Sequence, residues 1–207
     1  MTRLQALALA ALVLLPCGVP SPAQAAARTE RAVLAGGCFW GMQAVFEQLR
    51  GVKGVVAGFA GGNASTAHYE LVSTGTTGHA ESVEITYDPA VISYRALLDV
   101  YFGVAHDPTE LDYQGPDHGS QYRSAIFYTT PDQRRVAEQT IRELTAAKRF
   151  PAPIVTRVVA YNGFYAAEAY HQDYAAHHPD EPYIVINDRP KLAALHEHYP
   201  ALVRSRT

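Results

Sequence analysis

The 207 residues contain two cysteines, Cys17 and Cys38. Only Cys38 has neighbours suited to chemistry. It lies in Gly36-Gly37-Cys38-Phe39-Trp40-Gly41, beside the one Trp of the chain. A thiol reacts as its thiolate, and the unpaired N–H groups and positive dipole end at a helix N-terminus favour an anion. A cysteine leading into a helix is therefore expected to be biased towards thiolate and to act as a nucleophile or redox centre. An inert buried thiol is the alternative. His79 and His118 could serve such a thiol as bases, which would make the chain a cysteine hydrolase. A non-catalytic binding module built on the His and aromatic residues is a further reading. His171, His177 and His178 lack the His-Glu-x-x-His spacing and a companion Cys, so they read as a solvated helix end and no metal is assigned.

The elements that must position Cys38 follow from apolar spacing. Ala32-Val33-Leu34-Ala35 is a short buried strand. Met42, Val45, Phe46 and Leu49 recur at helical spacing, giving a helix to about residue 50. Cys38 then stands on the turn between them, where Gly36 and Gly37 permit a tight bend. Residues 51–60 have strand character, and Tyr69-Glu70-Leu71-Val72 is either a helical turn or extended. Val83, Ile85 and Tyr87 alternate with polar residues, predicting a strand over 79–87 with one wet face. Ser93 caps a helix through Leu97, Leu98, Tyr101 and Phe102. A polar run from His106 to Gln121 is long enough to be functional. A strand over 122–128, a helix over 130–149 opened by Thr130-Pro131, and a strand over 154–159 follow. Residues 164–176 read as a helix with Tyr170, His171 and Tyr174 on one face. Residues 183–186 form a short apolar piece, and 189–199 a last helix. These elements are too few and their loops too long for a doubly wound sheet. They predict an α+β two-layer sandwich, a mixed β-sheet covered by helices, of the ferredoxin-like or plait type.

Hydrophobic residues make up 48% of the chain and charged residues 18%, enough for a sizeable core. The formal net charge of −3 gives no electrostatic reason to expect nucleic acid as a partner. Residues 1–25 combine a basic start, an apolar run over 4–15, three prolines and Ala23-Gln24-Ala25, the pattern of a cleaved secretory signal peptide. The apolar run is shorter than the roughly 20 residues a membrane span needs, so none is expected in the mature chain. Residues 26–207 are expected to form one domain with a C-terminal extension, exported to a periplasm or secreted. Membrane tethering through a lipidated Cys17 is the alternative, disfavoured by Pro16. Cleavage would remove Cys17 and leave Cys38 as a lone free thiol.

Four motifs in series carry a resemblance. Gly36-Gly37-Cys38-Phe39-Trp40-Gly41, Gly58-Phe59-Ala60-Gly61-Gly62, Thr77-Gly78-His79-Ala80-Glu81 and Asp117-His118-Gly119-Ser120-Gln121-Tyr122-Arg123-Ser124 are similar, in order and spacing, to those of the A-type peptide methionine sulfoxide reductases. The similarity runs from about residue 32 to 174. It implies reduction of methionine S-sulfoxide, free or in proteins, as a protein-repair activity. It also implies Cys38 as nucleophile, Glu81 as acid, Phe39 and Trp40 as the methyl pocket, and Tyr69 and Tyr122 as donors to the sulfoxide oxygen. Asp117 would hold substrate or order water. On residue type alone, Phe39 and Trp40 could be core aromatics, Glu81 a solvated strand end and Asp117 a turn residue. The chemistry fits independently. A sulfoxide needs a thiolate for its electrophilic sulfur, a proton for the departing oxygen and a dry place for its methyl. Many relatives carry resolving cysteines near the C-terminus, and this sequence has none after Cys38. No bound cofactor is expected. The reductant is expected to be an external thiol: thioredoxin-like, glutaredoxin-like or small. The sequence does not fix oligomeric state.

Overall fold

The computed structural model describes residues 29–205. The leader expected over residues 1–25, with Cys17, lies outside the described residues. In chain order the elements are β1 (Glu30–Ala35), α1 (Phe39–Glu47), β2 (Val52–Ala60), α2 (Tyr69–Val72), β3 (Ala80–Tyr87), α3 (Tyr94–Val100), β4 (Tyr113–Gln114), β5 (Asp117–His118), β6 (Ala125–Tyr128), α4 (Pro131–Ala146), β7 (Arg157–Ala160), β8 (Phe164–Ala166), α5 (Tyr174–His177) and α6 (Arg189–His198).

One sheet runs β7-β6-β1-β3-β2-β8. Its pairings are antiparallel except β6 with β7, which makes it mixed. The four central strands, with α1 after β1 and α3 after β3, follow the β-α-β-β-α-β course of a plait. Helices gather on one face. There Met42, Val45, Phe46 and Leu49 of the α1 region are fully buried together with Leu34, Val83, Ile85 and Tyr87 of the strands. Each such side chain contributes about 1.5–3 kcal/mol of burial free energy. Val33, Ala35, Ala60, Ala80, Ala125 and Phe127 form a smaller cluster on the opposite face, with Tyr161 and Phe164 packed on it.

Local signals explain the helix starts. Ser93 Oγ accepts the Ala96 N–H at 3.1 Å, and Thr130 Oγ1 accepts the Gln133 N–H at 3.1 Å with Pro131 directly after the cap. Such caps stabilise by about 1 kcal/mol each. Tyr69-Glu70-Leu71-Val72 resolves as the single helical turn α2.

Several expectations need correction. The strand over 79–87 keeps its alternation in part: Val83, Ile85 and Tyr87 are fully buried and Glu84 and Thr86 are half-buried, but Ser82 on that second face is fully buried. Residues 164–176 are not one helix. Residues 164–166 pair with β2 as an edge strand, and Gln172 then continues the pairing with its side chain. Its amide holds both the N–H and the carbonyl of Ala57 at 2.9 Å. Asp173 breaks any helix with φ of 54° before the short α5. The polar run after His106 contains the hairpin β4–β5, which pairs Gln114 with Asp117. The apolar piece near residue 184 is a wide helical turn, Ile184–Asp188, leading into α6.

Candidate active site

Cys38 is the residue before the first turn of α1, where β1 has just ended. Gly37 makes the bend with φ of +85°, and a Cβ there would sit 2.6 Å from the Cβ of Gln114, so the turn requires glycine twice over. The thiol is free and only 8% exposed.

Glu81 comes from the start of β3. Successive residues of a strand alternate faces, so Glu81 shares a face with Val83, Ile85 and Tyr87, the face that α1 covers. It is therefore 2% exposed. Its Oε2 accepts the N–H of Phe39, one of the unpaired first-turn amides of α1, at 3.1 Å. Burial raises its pKa from 4.5 to about 8; the Phe39 amide opposes this, and Asp117 adds to it. Glu81 is thus a protonated acid at neutral pH.

The same surroundings act on the thiol. Burial first, and then the charge of Glu81, push Cys38 well above its ordinary pKa, with smaller contributions from Asp188 and Asp117. The amide of Trp40, bonded to the sulfur, works the other way and is outweighed. The expected bias towards thiolate is therefore corrected: the helix end is present, but burial dominates, and the resting site holds a thiol.

The aromatic residues build a wall around this pair. Phe39 is 1% exposed, with its ring 5.8 Å from Phe59 and 6.5 Å from Tyr69. Trp40 stacks on Tyr174 at 3.8 Å and meets Tyr183 edge-on at 5.8 Å. Its indole N–H donates to Nδ1 of His171 at 3.2 Å. Burial raises Tyr69 to about 12, with Glu81 and Cys38 adding to the effect. Tyr122 is raised by burial and by Glu81, Tyr69, Asp117 and Cys38. Both phenols therefore remain hydrogen-bond donors. Asp117, on the β4–β5 hairpin, accepts the hydroxyl of Tyr183. All seven residues singled out in the sequence are thus brought to one place.

Four others in this place were not singled out as site residues: His171, Tyr174, Tyr183 and Asp188. The His density near residue 171 suggests a solvated helix end by its spacing, and the structure differs. His171 is in fact 2% exposed and lies among Phe39, Trp40 and Tyr69. Burial lowers its pKa, so it is neutral. Tyr183 offered no spacing signal, since its partners lie at residues 40 and 117. His79 has both ring nitrogens engaged by backbone, Nδ1 with the Gly62 N–H and Nε2 with the Asn63 carbonyl. His118 is exposed and stacks on Tyr113. Neither is arranged as a base for Cys38, which disfavours a hydrolase. Among the described residues no group of three or more His, Cys, Asp or Glu could hold a metal ion.

A free buried thiol facing a protonated carboxyl within an aromatic wall, carried on an α+β plait, defines a cysteine-based oxidoreductase. Comparison with known proteins makes this specific. The family described as peptide methionine sulfoxide reductase matches residues 30–202. Peptide methionine sulfoxide reductase MsrA 2 of Mesorhizobium japonicum is 54% identical over 179 residues, which is 86% of this chain and 92% of the relative. The crystal structure of Mxr1 from Saccharomyces cerevisiae in reduced form is 32% identical with a TM-score of 0.70, covering 74% of this chain and 88% of that one. Mxr1 in complex with Trx2 superposes with a TM-score of 0.51 at 24% identity, over 72% of this chain and 86% of the other, a likeness of fold. The chain belongs to the peptide methionine sulfoxide reductase family.

Proposed function

We propose that this protein reduces methionine S-sulfoxide, in oxidised proteins or free, to methionine at Cys38. The observation that carries this reading is the Phe39–Glu81 hydrogen bond, which fixes a protonated carboxyl beside the residue that bears the thiol. Phe39 and Trp40 take the methyl group, and Tyr69 and Tyr122 donate to the sulfoxide oxygen. Asp117, tied to Tyr183, closes the far side.

The sulfur of Cys38 attacks the sulfoxide sulfur as Glu81 gives its proton to the oxygen. The thiol proton returns to Glu81, so the carboxyl ends as it began. The oxygen passes to Cys38 as a sulfenic acid, the S–O bond of the substrate breaks, and methionine leaves. One sulfur is oxidised by two electrons and the other reduced by two. A thiol then condenses with the sulfenic acid, releasing water and forming a mixed disulfide, and a second thiol regenerates Cys38. Cys38 is the free cysteine among the described residues, and once the proposed leader with Cys17 is cleaved these thiols come from a separate molecule. Mxr1 of yeast has been solved with Trx2, which supports a thioredoxin-like reductant here.

Incubation with each methionine sulfoxide epimer and a chemical thiol tests the reading. It requires methionine from the S epimer only and one added oxygen on Cys38 when thiol is withheld. Turnover of the R epimer, or of neither, overturns it.

The first 25 residues support export, as a cleaved signal peptide. Expression of the full sequence in a Gram-negative host should yield periplasmic protein beginning after residue 25 or 27. An uncleaved cytoplasmic product would exclude this.

A further inference from the structure

The rim beside Tyr69 carries features that the chemistry above does not use. Tyr170 is 61% exposed, an unusual position for a large ring, and its ring lies 4.2 Å from His171, which in turn touches Phe39 and Tyr69. Two carboxylates flank it. Glu168 precedes it by two residues and accepts the Tyr69 N–H on Oε1 at 3.0 Å, while its buried Oε2 has no hydrogen-bond partner. Glu70 follows Tyr69 on α2 and is exposed. Both carboxylates act on the Tyr170 phenol, which partial burial and these charges raise. Among the described residues, Glu168 is ion-paired with His68 at 4.0 Å, a partner charged only when protonated. The rim therefore presents an open aromatic face and two carboxylates, neither of them ion-paired with a Lys or Arg among the described residues.

We propose that Tyr170, Glu70 and Glu168 form a docking site for a Lys or Arg side chain of the oxidised polypeptide, close in sequence to its methionine sulfoxide. A cation placed over an exposed aromatic ring gains from the ring quadrupole, and a nearby carboxylate adds to that attraction. This patch adjoins the wall that receives the sulfoxide, through the contacts of His171 with Tyr170, Phe39 and Tyr69, and so lies within reach of residues next to a bound methionine sulfoxide. The proposal rests on the reductase reading and adds a preference among its substrates.

The test uses dithiothreitol as reductant, which removes any protein reductant from the comparison. Three substrates are assayed: free methionine sulfoxide, a short peptide with Lys beside the sulfoxide, and the same peptide with Glu in that place. The wild-type protein should favour the Lys peptide by roughly two- to five-fold in kcat/KM, the scale of one exposed cation–π contact. High salt should shrink the difference. Tyr170→Ser and Glu70→Lys should each erase the preference while leaving turnover of free methionine sulfoxide unchanged. That unchanged turnover also shows that the variants fold. An equal rate for the two peptides, or a preference that survives both substitutions, overturns the docking site. Failure to reduce free methionine sulfoxide would instead strike the reductase reading itself.

Discussion

The N–H of Phe39 donates to Glu81 across 42 residues of sequence, at 3.1 Å and out of contact with water. One hydrogen bond thus joins the first turn of α1 to the start of β3 and sets the acid beside the thiol. It opposes the protonation that burial imposes on Glu81, and burial wins. The folded carboxyl titrates near 8 and the unfolded one near 4.5, so between these values the folded chain holds a proton that the unfolded chain releases. Stability is unaffected by Glu81 below the lower value and falls as pH rises through the upper one. The loss reaches a few kcal/mol at about 1.4 kcal/mol per pH unit. Glu81→Gln removes the titration and keeps an acceptor for Phe39. Its melting temperature should match the wild type near pH 4 and exceed it above pH 8. The same variant should lose about two orders of magnitude in sulfoxide reduction, the usual contribution of a general acid. Parallel melting curves at all pH values would show that Glu81 is not held protonated.

Cys38 gives a second, independent readout. Burial and Glu81 hold its pKa well above 9.0. Its alkylation by iodoacetamide should therefore still be rising with pH at 9, with no plateau near neutrality. In Glu81→Gln the rise should begin at lower pH, because one of the two main causes is gone. Cys38→Ser should abolish both alkylation and turnover. A plateau below pH 8 in the wild type would mean that the helix end outweighs burial after all.

Tyr183 ties the C-terminal segment to the site through its hydroxyl on Asp117 and its ring edge on Trp40. Tyr183→Phe keeps the ring and removes the bond. A hydrogen bond to a charged group contributes about 1.5–3 kcal/mol, so kcat/KM for the sulfoxide should fall about tenfold or more. Emission from Trp40, the one Trp of the chain, should change little, since its edge contact remains. A large shift in that emission would mean that the hydroxyl supports the wall rather than the Asp117 carboxylate.

How far the sequence disclosed this arrangement depended on the range of the forces involved. The α1 helix was legible because Met42, Val45, Phe46 and Leu49 repeat at the helical period, and every one of them is buried. The caps at Ser93 and Thr130 were legible because a cap is a contact over three residues. Glu81 could have been read as buried: counting by twos from Val83, Ile85 and Tyr87 places it on the dry face. Residues 164–176 misled because their aromatic and histidine residues repeat for the sake of the site, not of a helix. Their backbone is set instead by pairing with β2 and by the clamp of Gln172 on Ala57, more than 100 residues away. Tyr183 and Asp188 had no local signature, because their partners are brought to them only by the finished fold.

Asp188 presents the sharpest case of such a distant fit. It is fully buried, its Oδ1 meets Nζ of Lys191 at 3.2 Å, and its Oδ2 has no hydrogen-bond partner. A Cβ built on Gly41 would lie 2.0 Å from that Oδ1 and 3.0 Å from Nζ of Lys191. Gly41 sits in the first turn of α1, so the carboxylate fills the notch its missing side chain leaves. Gly41→Ala gains helix propensity but forces a fully buried group to move, and overpacking of this kind costs about 1–3 kcal/mol. Because Asp188 also raises the Cys38 pKa, the clash should disturb the thiol as well as the fold. The double variant Gly41→Ala with Asp188→Ala keeps the new Cβ but removes the carboxylate it would strike. It should recover most of the lost stability in urea unfolding, a coupling of about 1 kcal/mol or more between the two positions. Simple additivity of the two single changes would mean that the segment around Asp188 yields freely, and that α1 tolerates a side chain where the packing leaves it no room.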